Sequence, residues 1–161
     1  MGARVLVTGM SGNGKSAALE ALGGRGHRVV ETDDPGWWEE RPDGDGVDRF
    51  WREDAVAALL AEEGPRTLFV SGCVPNQGAF YDRFDAVVLL SAPAEVVLDR
   101  VARRSGNDFG KRPGEREKIL RDLAEVEPLL RRGATHEIDT RLPLAEVVDR
   151  LDAIARGPSR T

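Results

Sequence analysis

Residues Gly9 to Ser16 read GMSGNGKS and match the pattern G-x-x-x-x-G-K-[ST]. Glycines at that spacing let backbone N–H groups wrap phosphate oxygens, a lysine reaches the β and γ phosphates, and a hydroxyl ligates magnesium. The candidate nucleotide site is therefore Gly9, Ser11, Gly12, Asn13, Gly14, Lys15 and Ser16, with Ala17 next to it and Ser16 as the magnesium ligand. A glycine turn with an incidental lysine would be the plain alternative. The context favours phosphate, because the loop follows the apolar run RVLVT and leads into KSAALEAL, whose helical start would add a positive dipole end. Two further clusters carry charge suited to chemistry: ETDDPGWW at 31–38, acid beside aromatic rings, and the basic run RRSGNDFGKR at 103–112.

These clusters have to be held by something. Short β-branched runs alternate with helix-patterned segments, which predicts parallel strands joined by crossover helices. Strands are expected at Arg4–Thr8, Arg28–Thr32, Thr67–Ser71, Ala86–Leu90 and Thr135–Asp139. Helices are expected at Lys15–Leu22, Phe50–Glu62, Ala94–Arg104, Glu115–Val126 and Leu144–Ala155. In the last, Leu144, Val147, Val148, Leu151 and Ile154 form one apolar stripe at helical spacing. Asp33–Asp48 and Ser105–Gly114 lack periodicity and read as irregular segments, where binding and lid functions tend to sit.

The chain has 161 residues, of which 32% are charged, and one cysteine. That is one ordinary domain, neither disordered nor membrane-spanning, with no disulfide and no cysteine set for zinc. A net charge of −5 offers no general pull on nucleic acid or anionic lipid. The N-terminus reads as a first strand and not as a secretion signal, so the cytoplasm is the expected compartment.

The chain has no N-K-x-D for reading a guanine base, and its central strand ends LFVSGC and not in the Asp-Glu usual among motor and AAA-type ATPases. What remains resembles the small P-loop kinases typified by shikimate kinase and adenylate kinase, small AAA-type ATP-binding kinases included. The resemblance implies a three-layer α/β/α fold, with a five-stranded parallel sheet in the order 2-3-1-4-5. It implies a single domain over 1–161: a core of 1–33, 65–104 and 115–157, an acceptor-binding region at 34–64 and a lid at 105–114.

In these kinases an acid at the end of the second strand sits beside the acceptor, and Glu31-x-Asp33 is the nearest match to their Asp-x-Asp. Strand alternation puts Glu31 and Asp33 on one face and Asp34 on the other, unless the strand has already ended. Asp33 is thus the expected acceptor-side base and a second candidate for the metal, with Asp34 ranked next. A strand-ending Asx turn before Pro35 would be the plain reading of both. Trp37 and Trp38 are divided between lining the acceptor pocket and packing. Ser71–Cys73, SGC, resembles the family's substrate-facing turn with one glycine instead of three, which makes Gly72 and Cys73 candidates. FWREDA supplies Arg52, but without the glutamate that accompanies the family's acceptor-gripping arginine. These departures point away from shikimate as the acceptor.

On the nucleotide side, DRVARR resembles the adenylate kinase run that places one arginine against adenine and one on phosphate, which assigns Arg100 and Arg104. Asp99 is placed to pair with Arg103. Arg103, Arg104, Lys111 and Arg112 fit a lid closing over phosphates, or else a solvated face. IDTRLPLAEVV resembles the adenine-cradling loop, with Thr140 to Pro143 as its backbone. Asn76 and Gln77 are within the sequence range of an acceptor contact, Cys73 reads as a small strand-end residue more than a nucleophile, and His27 and His136 read as surface residues.

The expected activity is ATP- and magnesium-dependent phosphoryl transfer to a hydroxyl of a small neutral or cationic metabolite, by a monomer or homodimer. Lys15, Asp33, Asp34 and Arg104 are the catalytic candidates. The alternatives are a nucleoside or nucleoside-monophosphate kinase and an ATP-binding regulatory module with little or no hydrolysis.

Overall fold

The computed structural model describes residues 2–10, 12–103 and 113–157. In chain order the elements are β1 (Arg4–Thr8), α1 (Lys15–Gly24), β2 (Arg28–Glu31), β3 (Trp38–Asp43), β4 (Gly46–Trp51), α2 (Glu53–Ala61), β5 (Leu68–Ser71), a 3-10 turn (Gln77–Arg83), β6 (Ala86–Ser91), α3 (Ala94–Arg103), α4 (Pro113–Glu125), α5 (Glu127–Gly133), β7 (His136–Asp139) and α6 (Leu144–Arg156).

β1 is central: its RVLVT is buried from Val5 onward because helices cover both faces of the sheet. It pairs in parallel with β5 and β6, Val5 lying opposite Phe69 on one side and Ala86 on the other. The five-stranded sheet has the order β2-β5-β1-β6-β7. With the β3–β4 ribbon set aside, this is the 2-3-1-4-5 order expected.

Alternation along β1 sends Val5 and Val7 to one face and Leu6 to the other. The first face packs on Ala18, Leu19 and Leu22 of α1 and on Val147, Val148 and Leu151 of α6. The second packs on Val56, Leu59 and Leu60 of α2 and on Trp51 and Phe80. A smaller cluster of Val97, Val101 and Ile119 joins α3 to α4. The stripe expected on α6 is the buried face, except that Leu144 at its start is 48% exposed.

Four local readings are corrected. The segment read as irregular at 33–48 contains most of an antiparallel hairpin, with Trp38 opposite Trp51 and Asp43 opposite Gly46. Its strands are mostly exposed, so no clean apolar alternation marks them. Pro42 is tolerated because β3 has a partner on one side only. The turn residue Gly44 takes φ 63, as the first position of a tight hairpin turn requires. Second, α2 begins at Glu53 and not at Phe50, because Phe50 and Trp51 belong to β4. Third, β2 ends at Glu31, one residue early. Fourth, α5 and the 3-10 turn have no counterpart among the expected elements, both being too short for periodicity to show. Among the described residues no helix is long and apolar enough to cross a membrane.

Candidate functional site

The loop from Gly9 to Gly14 leaves the end of β1 and turns directly into α1. Gly12 and Gly14 take φ 88 and 80, where a side chain would strain the backbone. A Cβ on Gly12 would also lie 3.1 Å from Val97 Cγ1 and 3.0 Å from Val101 Cγ2 on α3. Asn13 is fully buried and braces the turn, its Nδ2 donating to the Met10 carbonyl at 3.1 Å. No side chain caps α1 and its first turn carries no acid, so its amides face the loop concavity uncompensated. Lys15 Nζ curls over the loop and donates to the carbonyls of Gly9 at 2.5 Å and Met10 at 3.2 Å. Ser16 and Ala17 are exposed on the first turn. A concavity of amides, an overhanging ammonium and an exposed hydroxyl fit a magnesium-bound nucleotide phosphate.

Asp33 and Asp34 lie in a turn just beyond β2, both exposed, so strand alternation does not separate them. Between β2 and Asp33, Thr32 is buried, donating its hydroxyl to the Ser71 carbonyl at 2.7 Å and accepting the Trp51 indole N–H at 2.8 Å. Trp38 donates its own indole N–H to the Asp33 carbonyl at 3.0 Å, and the Arg49 guanidinium lies 4.0 Å from its ring centre. Trp37 is half-buried against the α2 side of the core. Of the pair, then, Trp38 is the one beside Asp33, and it meets the main chain there.

Cys73 follows β5 and is partly buried. Burial pushes its thiol up, the Lys15 charge and a Thr8 hydrogen bond oppose that, and the charges of Asp33 and Asp122 add to the rise. The thiol is therefore protonated and unreactive at neutral pH. Asp122 pairs with Lys118 at 2.9 Å, an i,i+4 ion pair on α4. The space beside the Gly72 Cα is taken up by Thr32 and Trp51.

On the other side of the loop, Arg100 donates to the Thr140 hydroxyl at 2.7 Å and to its carbonyl at 2.6 Å. These two residues, with Asn13, Gly14, Ala17, Leu142 and Leu144, line a cleft of about 270 Å³. The exposed Leu144 is explained by this cleft. Pro143 is exposed and precedes α6.

The remaining candidates are dispersed. Arg52 is exposed and lies 3.5 Å from Asp54, and Arg103 is exposed and paired with Asp99 at 2.9 Å. Ser11, Arg104, Lys111 and Arg112 lie outside the described residues, as does the lid up to residue 112, while 113–114 begin α4. Asn76 and Gln77 are committed within the protein: Asn76 bonds both the N–H and the carbonyl of Trp51, and Gln77 bonds Thr8, Tyr81 and the Val74 N–H. His27 is not a free surface residue; it is half-buried, 2.5 Å from Asp152 and edge-on to Phe69. Among the described residues, no group of three or more His, Cys, Asp or Glu is placed to hold a metal.

The family described as AAA domain matches residues 5–121. No curated protein matches the chain. Among solved structures, shikimate kinase from Acinetobacter baumannii in complex with shikimate is 19% identical with a TM-score of 0.66, covering 99% of this chain and 97% of that one. Shikimate kinase from Bacteroides thetaiotaomicron is 16% identical with a TM-score of 0.65, covering 97% and 99%. A gluconokinase from Sinorhizobium meliloti 1021 is 23% identical with a TM-score of 0.52, covering 96% and 94%. At these identities the likeness speaks for the fold, which is that of the small P-loop kinases.

Proposed function

We propose, for a chain that belongs to the AAA domain family, ATP-dependent transfer of the γ-phosphoryl group to a hydroxyl of a small neutral or cationic metabolite. The observation that carries this reading is that the phosphate loop, with Lys15 bonded across it, and the Asp33 turn leave the same edge of the parallel sheet, at the ends of β1 and β2 on either side of β5. Lys15 and the loop amides hold the β and γ phosphates, and Arg100 with Thr140 flanks the cleft for the base. Ser16 would hold magnesium, with Asp33 as the second candidate. When bound, that ion neutralises charge on the β and γ oxygens.

Asp33 orients the acceptor hydroxyl and takes its proton as the oxygen bonds to the γ-phosphorus and ADP departs. Asp34 is the second candidate for this role. Lys15 and, in the lid, Arg103, Arg104, Lys111 and Arg112 offset the charge spread over the transferring group.

The acceptor class follows from charge. Asp33 and Asp34 stand exposed side by side in the β2 turn, whereas the nearby arginines are engaged: Arg41 with Glu39, Arg49 on the Trp38 ring, and Arg52 with Asp54. An acceptor carrying its own phosphate would meet repulsion with no uncommitted cation of the hairpin to relieve it. A polyol, an amino alcohol or a nucleoside meets none.

ADP release measured against a panel of metabolites tests the reading. Release that depends on an uncharged or cationic hydroxyl compound supports it. Release with nucleoside monophosphates alone makes the chain a nucleotide kinase, and none with any acceptor leaves an ATP-binding module.

A further inference from the structure

The hairpin carries two tryptophans at one cross-strand position, Trp38 opposite Trp51, so their side chains project from the same face. Their indole N–H groups end on successive residues of the acidic turn, Trp51 on the Thr32 hydroxyl and Trp38 on the Asp33 carbonyl. Each ring is held in turn. Trp51 is fully buried and its main chain is gripped by Asn76 at 2.9 and 3.1 Å; Trp38 is half-buried beneath the Arg49 guanidinium. Asp33 itself lies in an exposed turn outside the sheet ladder, where one carbonyl-to-amide bond, Asp34 N–H to Glu31, is the local backbone closure.

The geometry points to Trp38 as a positioning residue: with Trp51 it clamps the Thr32–Asp33 turn, so that the seat of the hairpin sets where the Asp33 carboxylate stands. This rests on the kinase reading with Asp33 as the acceptor-side base. The indole acts on the main chain of Asp33 and leaves its carboxylate open to the acceptor. A base on a loose turn loses rate through misplacement, since an error of about 1 Å at a reacting group costs on the order of 10²-fold. The aromatic pair next to the acids therefore serves the acid's placement, and the acceptor is recognised by the carboxylates and not by stacking on Trp38.

The test is a cycle of Trp38→Phe and Asp33→Asn in the full chain, with kcat, KM for ATP and acceptor, and thermal midpoint measured for each protein. Phenylalanine keeps a ring under Arg49 and removes the N–H, while asparagine at 33 keeps the carbonyl that Trp38 binds. The expected result is that Trp38→Phe lowers kcat roughly 10- to 100-fold with KM for ATP unchanged, and lowers it no further once Asp33 is Asn. Hydrogen exchange at the Asp34 amide should quicken in Trp38→Phe while the β1 and β6 amides keep their protection. Wild-type kcat in Trp38→Phe overturns the inference alone, as does an equal loss in both backgrounds or unchanged exchange at Asp34. Wild-type kcat in Asp33→Asn, where Trp38 is intact, overturns the Asp33 assignment and this inference with it. If Trp38→Phe does not fold, Arg49→Gln completes the same cycle with a smaller expected loss, and no loss there overturns the inference.

Discussion

The Trp51 indole N–H reaches the Thr32 hydroxyl at 2.8 Å, and the backbone of Gly72 runs so close beneath that a Cβ there would stand 2.6 Å from Thr32 Oγ1 and 2.9 Å from Trp51 Cζ2. Gly72→Ala should therefore push the ring and hydroxyl apart. Overpacking of this kind costs about 1–3 kcal/mol, a fall of roughly 2–12 °C in thermal midpoint for a chain of this size. A wild-type midpoint in that variant would show that the contact yields without cost.

Lys15 has the loop carbonyls of Gly9 and Met10 as partners. Lys15→Ala should leave the fold intact and reduce kcat by at least about 10²-fold, the scale on which a charge-stabilising donor acts in a transition state. Steady-state turnover at saturating ATP, read beside the circular dichroism spectrum, checks it. Undiminished turnover would sink the mechanism.

Asp33 and Asp34 are both exposed in the turn, but it is Asp33 whose carbonyl the Trp38 indole N–H holds. Asp33→Asn should lower kcat by about 10²- to 10⁴-fold, as expected for a lost general base, and Asp34→Asn should lower it less. The reverse order would move the base to Asp34. If neither variant slows turnover at saturating ATP, the acceptor-site assignment is wrong.

Away from the site, burial raises the Asp152 carboxyl, but hydrogen bonds from Arg25 and His27 outweigh it and hold the group below the ordinary aspartate range. A carboxyl depressed in the folded state contributes stability above its unfolded value of about 3.9 and loses it as pH falls through the lower folded value. Asp152→Asn should thus destabilise the protein at pH 7 by roughly 1–2 kcal/mol. The gap to wild type should shrink as pH drops below 4. Urea unfolding at pH 7 and pH 3 measures both, and a gap of equal size at the two would refute the linkage.

The phosphate loop was legible in the sequence because its chemistry is contiguous: Gly12, Gly14, Lys15 and Ser16 are neighbours in the chain, and a strand before and a helix after suffice to present them. The sheet was legible for the same reason, since the burial of Val5 to Val7 or of Val87 to Leu90 shows as a short apolar run. Arg100 and Thr140 could be assigned to one cleft only by resemblance, because 40 residues separate them. Most of the hairpin reads as a loop because both of its faces mix charged with apolar residues, so neither period nor composition marks it.

By itself, then, the sequence determined the α/β order of elements and the anion-binding loop, since both follow from the local spacing of apolar residues and glycines. Tertiary structure alone decided how ETDDPGWW is placed. Folding sets Thr32 against Ser71 and Trp51, and Asp33 against Trp38. Most of these contacts join residues far apart in the chain, and they exist only once the strands are in register and the hairpin has closed on the sheet, because hydrogen bonds and charges act over a few ångströms of space whatever the separation in sequence.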